Sequence, residues 1–157
     1  LGFNYGARDR KRLMDAYRKG FAIAFGIMSL GLIVFQLFPY ELLSIFNAQG
    51  NEEMYALGVP ALRAISWCFL PASYGIMTSS VFQATGHGFL SLWSALIRQL
   101  VGILPIAFIL GRIFGLGMVW YAFPLAEIIG TAYLIIAFLN LYKKELKHLG
   151  DNEQHNK

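Results

Sequence analysis

Residues 89–110 read Phe-Leu-Ser-Leu-Trp-Ser-Ala-Leu-Ile-Arg-Gln-Leu-Val-Gly-Ile-Leu-Pro-Ile-Ala-Phe-Ile-Leu, and this stretch decides the fold. At about 1.5 Å per residue, a helix of this length crosses a hydrocarbon layer about 30 Å thick. It carries one charge, Arg98, near its middle. Small and polar residues share one side of the helix with Arg98, and large aliphatic residues lie roughly opposite. The first group is Ser91, Ser94, Gly102 and Pro105, and the second is Leu92, Leu96, Ile103 and Leu110. One side therefore suits lipid, and the other suits a protein interior or a wet cavity.

The composition indicates a membrane protein. Hydrophobic residues make up 57% of the 157 residues and charged residues only 14%, with a mean hydropathy of +0.53. Soluble chains are about 25% charged. Of the 13 Lys and Arg residues, six lie in residues 8–19 and four in residues 143–157. Basic clusters beside apolar runs are typical of the cytoplasmic side of a bilayer. A nucleic-acid partner is not predicted, because the basic residues are not interleaved with aromatic residues on a solvated face.

Four apolar runs predict an all-α, multi-pass membrane protein with four transmembrane helices. The predicted spans are residues 21–38, 61–85, 89–111 and 119–141. An even number of spans returns the chain to the side that it left, so both termini and the turn at 86–88 are predicted to be cytoplasmic. The acidic loop at 39–60 has no Lys or Arg and is predicted to lie outside, with the loop at 112–118. Residues 150–157 are predicted to form a polar cytoplasmic tail.

Residues 8–19 predict a short amphipathic helix on the cytoplasmic surface, before the first span. Leu13, Ala16 and Tyr17 would face the membrane, while the charged residues would face water and lipid phosphates. The predicted role is a topological anchor. A regulatory or lipid-binding role is the alternative.

The second span is unusually polar for a membrane helix. Its polar residues are Ser66, Ser73, Tyr74, Thr78, Ser79, Ser80 and Gln83. Pro71 and Gly75 favour a bend, which in a bilayer requires neighbouring helices to satisfy the freed backbone groups. These features favour a helix that lines a cavity, and packing between helices is the alternative.

Two opposite charges are predicted near the middle of the membrane. An intramembrane Arg costs at least about 2.5–3.5 kcal/mol unless it meets water or a partner. Glu127, the only carboxylate between Glu53 and Glu145, lies on the span after that of Arg98. In the structural hypothesis the two form a buried pair, or each meets backbone groups, and hold the helices together. In the functional hypothesis Glu127 titrates or binds a cation, as in transporters. A substrate-facing role for Arg98 is the third alternative.

Other chemical signals are weak. Cys68, the single cysteine, lies in an apolar run, which predicts a small buried hydrophobic residue without a disulfide within the chain or a metal site. His87, between two glycines, is predicted to be a loop residue, with a pH sensor as the alternative. Phosphate-binding loops, nucleophile–base sets and paired carboxylates are absent from the sequence. We therefore predict no catalytic residue, and an enzyme is not expected.

Several short motifs follow one another in a particular order. Phe3-Asn-Tyr-Gly-Ala7 precedes the basic residues, and further motifs are Phe82-Gln-Ala-Thr-Gly86, Arg98-Gln99 and Gly117-Met-Val-Trp-Tyr-Ala-Phe-Pro124. In this order and spacing they resemble the last third of the multidrug and toxic compound extrusion (MATE) transporters, the first motif being similar to the end of the eighth helix. Each motif alone has low specificity, but the set extends over nearly the whole chain.

The resemblance implies that residues 1–149 belong to the C-terminal lobe of a twelve-helix antiporter, as helices nine to twelve. The start at Leu1 rather than Met also favours a piece of a longer protein. Such transporters exchange Na⁺ or H⁺ for small organic, often cationic, compounds by alternating access. The implied location is the bacterial cytoplasmic membrane. The implied partners are the bilayer, the substrate, the N-terminal lobe and helices seven and eight, with no cofactor besides the coupling ion.

Within that resemblance, Tyr74, Thr78 and Gln83 are the candidate substrate-cavity residues. Some family members carry a cation-binding carboxylate on the tenth helix, but the second span here has no Asp or Glu. Coupling would then depend on the absent part of the protein or on Glu127. One alternative is a lipid-linked saccharide flippase of the same superfamily, which would have several basic residues facing the lumen, whereas only Arg98 qualifies here. The other is a non-transporting scaffold subunit, whose small and polar stripes would close against each other without leaving a cavity.

Overall fold

A computed structural model describes residues 1–46 and 51–149, so part of the predicted outside loop and the predicted polar tail lie outside the described residues. All regular structure in the described residues is helical, which confirms the all-α prediction. The helices are α1 (Gly2–Gly6), α2 (Arg10–Leu37), α3 (Pro39–Ser44), α4 (Glu52–Ser66), α5 (Phe69–Ala84), α6 (Gly88–Leu96), α7 (Leu104–Phe114) and α8 (Ala122–Lys144). A π-helical segment, Ile97–Ile103, joins α6 to α7, and 3₁₀ turns lie at Leu116–Tyr121 and Leu146–His148.

Three helical stretches are long and apolar enough to cross a membrane. They are Arg10–Leu37, Gly88–Phe114 and Leu116–His148. A fourth crossing is present if α4 and α5, which meet at a bend of 49°, form one broken span. The outer face of α2 exposes large apolar side chains, as expected of a helix whose solvent is lipid; examples are Ile23, Ile27, Leu30 and Leu37.

The bend in the second span lies one turn before Pro71. Helix α4 ends at Ser66 and α5 begins at Phe69, so the break is at Trp67 and the half-buried Cys68. Proline has no N–H for the carbonyl four residues earlier, here that of Trp67, and its ring crowds that carbonyl. The prediction that Gly75 shares in the bend is wrong, because Gly75 lies inside the continuous α5.

The prediction for residues 8–19 is wrong in two respects. They do not form a separate surface helix, because α2 continues without a break to Leu37 after an N-cap in which the Asp9 carboxylate accepts a backbone N–H at 2.9 Å. Leu13 and Tyr17 do not face the membrane, since they are only 1% and 9% exposed and belong to the buried core. The first turns of α2 lie against α5 and α8, so protein rather than lipid covers their apolar face.

Helix α5 lies between α2 and α8. On the α2 side, the hydroxyl groups of Tyr17 and Thr78 are hydrogen bonded at 3.2 Å. On the α8 side, a Cβ added at Gly75 would lie 3.5 Å from the side chain of Leu134. Helix α6 and the π-helical segment also pack on α8. Together with α8, they surround a space on one side of α5.

A polar junction closes the basic end of the bundle, by which we mean the end that holds residues 8–19 and 143–147. His87, in the turn before α6, places Nε2 at 3.0 Å from Oε1 of Glu145, at the end of α8. The Tyr5 hydroxyl of α1 donates to the other carboxylate oxygen at 3.3 Å. Burial and the nearby Glu145 carboxylate raise the pKa of Tyr5 above its ordinary value, so Tyr5 stays a donor. The junction thus ties three separate elements together.

Candidate functional site in a polar cleft

A cleft of about 430 Å³ opens between α5, α6 with the π-helical segment, and α8. Its lining combines small residues, hydroxyl groups, one amide and two opposite charges. The lining residues are Ala72, Gly75, Ile76, Ser79, Ser80, Gln83, Ser91, Ser94, Ala95, Arg98, Glu127, Gly130 and Leu134. A concave site with a few convergent polar groups is the usual form of a small-ligand site.

Arg98 lies in the π-helical segment that interrupts the third predicted span. Pro105 lacks the N–H that would bond to the carbonyl of Val101, and a local π adjustment is one way in which membrane helices accommodate such a gap. π-Helical turns are rare in proteins, and those that occur are often found at functional sites. The segment packs directly on α8 and carries Arg98 on the cleft side.

Arg98 and Glu127 form an ion pair, so the structure brings together the two charges that the sequence places near the middle of the membrane. Nη1 of Arg98 donates to Oε2 of Glu127 at 3.1 Å. The Glu127 side chain is only 8% exposed, whereas that of Arg98 is 42% exposed. Oε1 of Glu127 faces α5, where a Cβ added at Gly75 would lie 3.9 Å away. One carboxylate oxygen is therefore held by the guanidinium, and the other is directed across the cleft.

Two glycines allow the helices that carry the pair to approach each other closely. A Cβ added at Gly102 would lie 2.7 Å from Cβ of Ala126 and 3.1 Å from its Cα. At Gly130, an added Cβ would lie 3.3 Å from Cβ of Arg98. Small residues at such crossings are what let membrane helices pack backbone to backbone. The geometry of the ion pair thus depends on two positions without side chains.

We expect Gly102→Ala to destabilise the complete protein by about 1–3 kcal/mol, because overpacking at a close contact forces backbone shifts. Ala126 has no flexible side chain that could move away from the added methyl group. The measurement is the unfolding temperature in detergent. The control is Gly26→Ala on the exposed face of α2, where nothing lies within 4 Å of an added Cβ. Equal unfolding temperatures for the two variants would contradict this prediction.

The three candidate substrate-cavity residues lie on two sides of α5, with Tyr74 and Thr78 on one side and Gln83 on the other. Gln83 lines the cleft, and its amide donates to the hydroxyl of Ser91 at 3.5 Å. Thr78 is fully buried against α2. The ring of Tyr74 meets that of Phe21, also in α2, edge-on with centroids 6.3 Å apart. The structure therefore brings Gln83 to the same cleft as the charge pair and directs Tyr74 and Thr78 towards α2.

Four serines of the cleft are absent from the predicted site: Ser79, Ser80, Ser91 and Ser94. Two signals point to them, since Ser79 and Gln83 are four residues apart and Ser91, Ser94 and Arg98 share one side of their helix. No group of three or more His, Cys, Asp or Glu in residues 1–46 and 51–149 is placed to hold a metal ion. Glu127 is the one carboxylate among the described residues that line the cleft.

A family model described as MatE matches residues 1–109, which is more than two thirds of the chain. The chain belongs to the MATE family. No curated protein matches the chain.

The fold of the chain is similar to that of two solved MATE transporter structures. The chain is similar to the inward-facing conformation of a multidrug resistance MATE family transporter of the MOP superfamily, with 27% identity and a TM-score of 0.79 over 92% of this chain and 34% of that chain. It is also similar to the outward-facing conformation of such a transporter, with 27% identity and a TM-score of 0.77 over 91% of this chain and 33% of that chain. The chain thus spans about a third of the length of the transporters that it matches. The predicted MATE fold is confirmed.

Proposed function

We propose that residues 1–149 form part of the C-terminal transmembrane lobe of a secondary active antiporter. The antiporter exchanges Na⁺ or H⁺ for small organic, often cationic, compounds by alternating access in a bacterial cytoplasmic membrane. The basic end of the bundle faces the cytoplasm, in keeping with the positive-inside rule. The N-terminal lobe and helices seven and eight complete the transport pathway.

The observation that carries this proposal is a buried carboxylate at the wall of an open polar cleft. Ionisable residues inside membrane segments mark ion and substrate pathways, because burial of a charge in lipid is costly. Glu127 is held by Arg98 through one oxygen only, at 3.1 Å. A proton or a Na⁺ ion bound at the other oxygen weakens this hold and changes the charge of the cleft. A cationic substrate competes for the same carboxylate, which is the basis of exchange.

The comparison with two conformations supports alternating access. The TM-scores against the inward-facing and outward-facing transporters are nearly equal, 0.79 and 0.77. A unit that superposes equally well on both conformations is one that moves largely as a rigid body. Rocking of rigid repeats around a fixed central site is the usual basis of alternating access in such folds.

The cleft also favours transport over the two alternatives. A scaffold subunit is expected to close its polar stripes completely, whereas a space of about 430 Å³ lies between them. A flippase for lipid-linked saccharides is expected to present several basic residues, whereas Arg98 is the one cation among the residues that line the described cleft.

The proposal is tested by measuring dye movement driven by an ion gradient. The complete protein is reconstituted into liposomes that contain a fluorescent organic cation, and a Na⁺ or H⁺ gradient is imposed in the opposite direction. We expect one of the two gradients to accelerate dye loss, relative to the same liposomes without a gradient. Equal dye loss with both gradients and without any would contradict antiport.

A further inference from the structure

A second groove, of about 450 Å³, lies at the basic end of the bundle and away from the polar cleft. We call it the basic groove, and its lining residues are Arg10, Lys11, Met14, Asp15, Arg18 and Tyr142. All except Tyr142 come from one face of α2, with the spacing of successive turns. Three cationic side chains against one carboxylate leave the groove with net positive charge.

One cation of the basic groove is held in place before any ligand binds. Nη1 of Arg10 donates to the backbone carbonyl of Lys147 at 3.1 Å, and Nη2 donates to the hydroxyl of Tyr142. The guanidinium carbon also lies 5.4 Å from the centroid of the Tyr142 ring. Because the planar guanidinium is pre-organised, less side-chain entropy is lost when its remaining N–H groups bind an anion.

The length of α2 brings the membrane-side end of the basic groove, at Arg18, to the depth of the lipid phosphates. The helix has 28 residues, which is about 42 Å. The hydrocarbon layer is about 30 Å thick, and the bilayer with its headgroups is about 40–45 Å thick. Residues 21–38 carry no charge and fill the hydrocarbon layer, so the excess length lies at the charged end. The first turns of α2 therefore cross the headgroup layer.

We propose that the basic groove binds the phosphate of an anionic phospholipid. The guanidinium groups of Arg10 and Arg18 contact the phosphate oxygens through charge-assisted hydrogen bonds, and Met14 contacts the apolar part of the lipid. Asp15 disfavours free phosphate, which carries more negative charge than a phosphodiester. This assignment is independent of the cleft and of the proposed transport, since none of its residues line the cleft.

The test compares lipid binding to two variants that lose the same charge from the same helix. The complete protein is placed in nanodiscs of phosphatidylcholine with spin-labelled phosphatidylglycerol, and the immobilised fraction of the label is measured. We expect Arg10→Gln/Arg18→Gln to lower relative phosphatidylglycerol binding by at least about fivefold more than the control variant does, because it removes charge-assisted hydrogen bonds to the phosphate as well as net charge. The control is Arg12→Gln/Lys19→Gln, whose two residues lie outside the groove, so that it loses only the general attraction of two cations to an anionic surface.

Further variants separate a binding defect from a folding defect. Arg18→Gln leaves the Arg10 contacts with Tyr142 and Lys147 intact and is expected to weaken lipid binding by itself. Tyr142→Phe removes the hydroxyl that orients Arg10, keeps every charge and is expected to give a smaller loss. Equal losses in the groove and control double variants would show general attraction without a site and overturn the proposal. Displacement of the lipid signal by millimolar inorganic phosphate at constant ionic strength would also overturn it, in favour of a free-anion site.

Discussion

Glu127→Gln is expected to reduce ion-driven dye transport to the level of protein-free liposomes while leaving the protein folded. Glutamine has the shape of glutamate, and its amide oxygen still accepts a hydrogen bond from Arg98. It cannot take up a proton at neutral pH, and it offers Na⁺ no negative charge. The Arg98 guanidinium, which is 42% exposed, reaches the cleft and keeps access to water in the variant. The measurement is the gradient-driven rate, with the unfolding temperature recorded in parallel.

The matched control is Glu53→Gln, which removes the same charge from the exposed first turn of α4. This variant is expected to transport at the unmodified rate. If Glu127→Gln expresses normally and keeps both its transport rate and its ion dependence, Glu127 has only the structural role of holding α8 to the π-helical segment. The same outcome would leave the family membership and the fold untouched.

Arg98→Met is expected to give the largest loss of stability among these variants. It removes the counter-ion of a carboxylate that is only 8% exposed, and breaking a buried pair in this way costs about 3–5 kcal/mol. Since Arg98 itself is 42% exposed, we expect a value near the lower end of that range. Methionine keeps the unbranched stem that packs against Gly130, so the loss reports the charge rather than the packing. The measurement is again the unfolding temperature in detergent.

The double variant Arg98→Met/Glu127→Met is expected to regain most of that stability, because a buried pair replaced by apolar residues of similar size is often neutral. The difference between the double variant and the sum of the single variants measures the coupling of the two charges. Arg112→Met, at the exposed end of α7, is the control for the loss of an arginine and is expected to have little effect. A double variant less stable than Arg98→Met would contradict a mutually compensating pair.

These two predictions address different hypotheses for the same pair. Loss of transport with retained stability in Glu127→Gln supports coupling. Loss of stability in Arg98→Met with rescue in the double variant supports a structural role. The two roles are compatible, because a carboxylate that holds two helices together and also binds the driving ion links ion binding to helix movement.

Features that depend on local chemistry were accessible from the sequence. Long apolar runs between basic blocks determine that lipid is the solvent, because so few charges cannot cover the surface of a soluble protein. Proline effects are local as well, so the end of α2 before Pro39 and a break near Pro71 follow from the missing N–H groups. The contact between Arg98 and Glu127 was accessible because two charges on adjacent spans need each other in a low-dielectric environment.

Features that depend on which helix meets which face required the tertiary structure. Periodicity shows that Tyr74 and Thr78 share a face of α5, but only packing shows that α2 covers this face while Gln83 enters the cleft. The same holds for Leu13 and Tyr17, whose apolar face would suit lipid or protein equally well until α5 and α8 are in place. A helical pattern specifies directions around one axis, whereas burial is decided by the neighbours that occupy those directions, and these are distant in sequence.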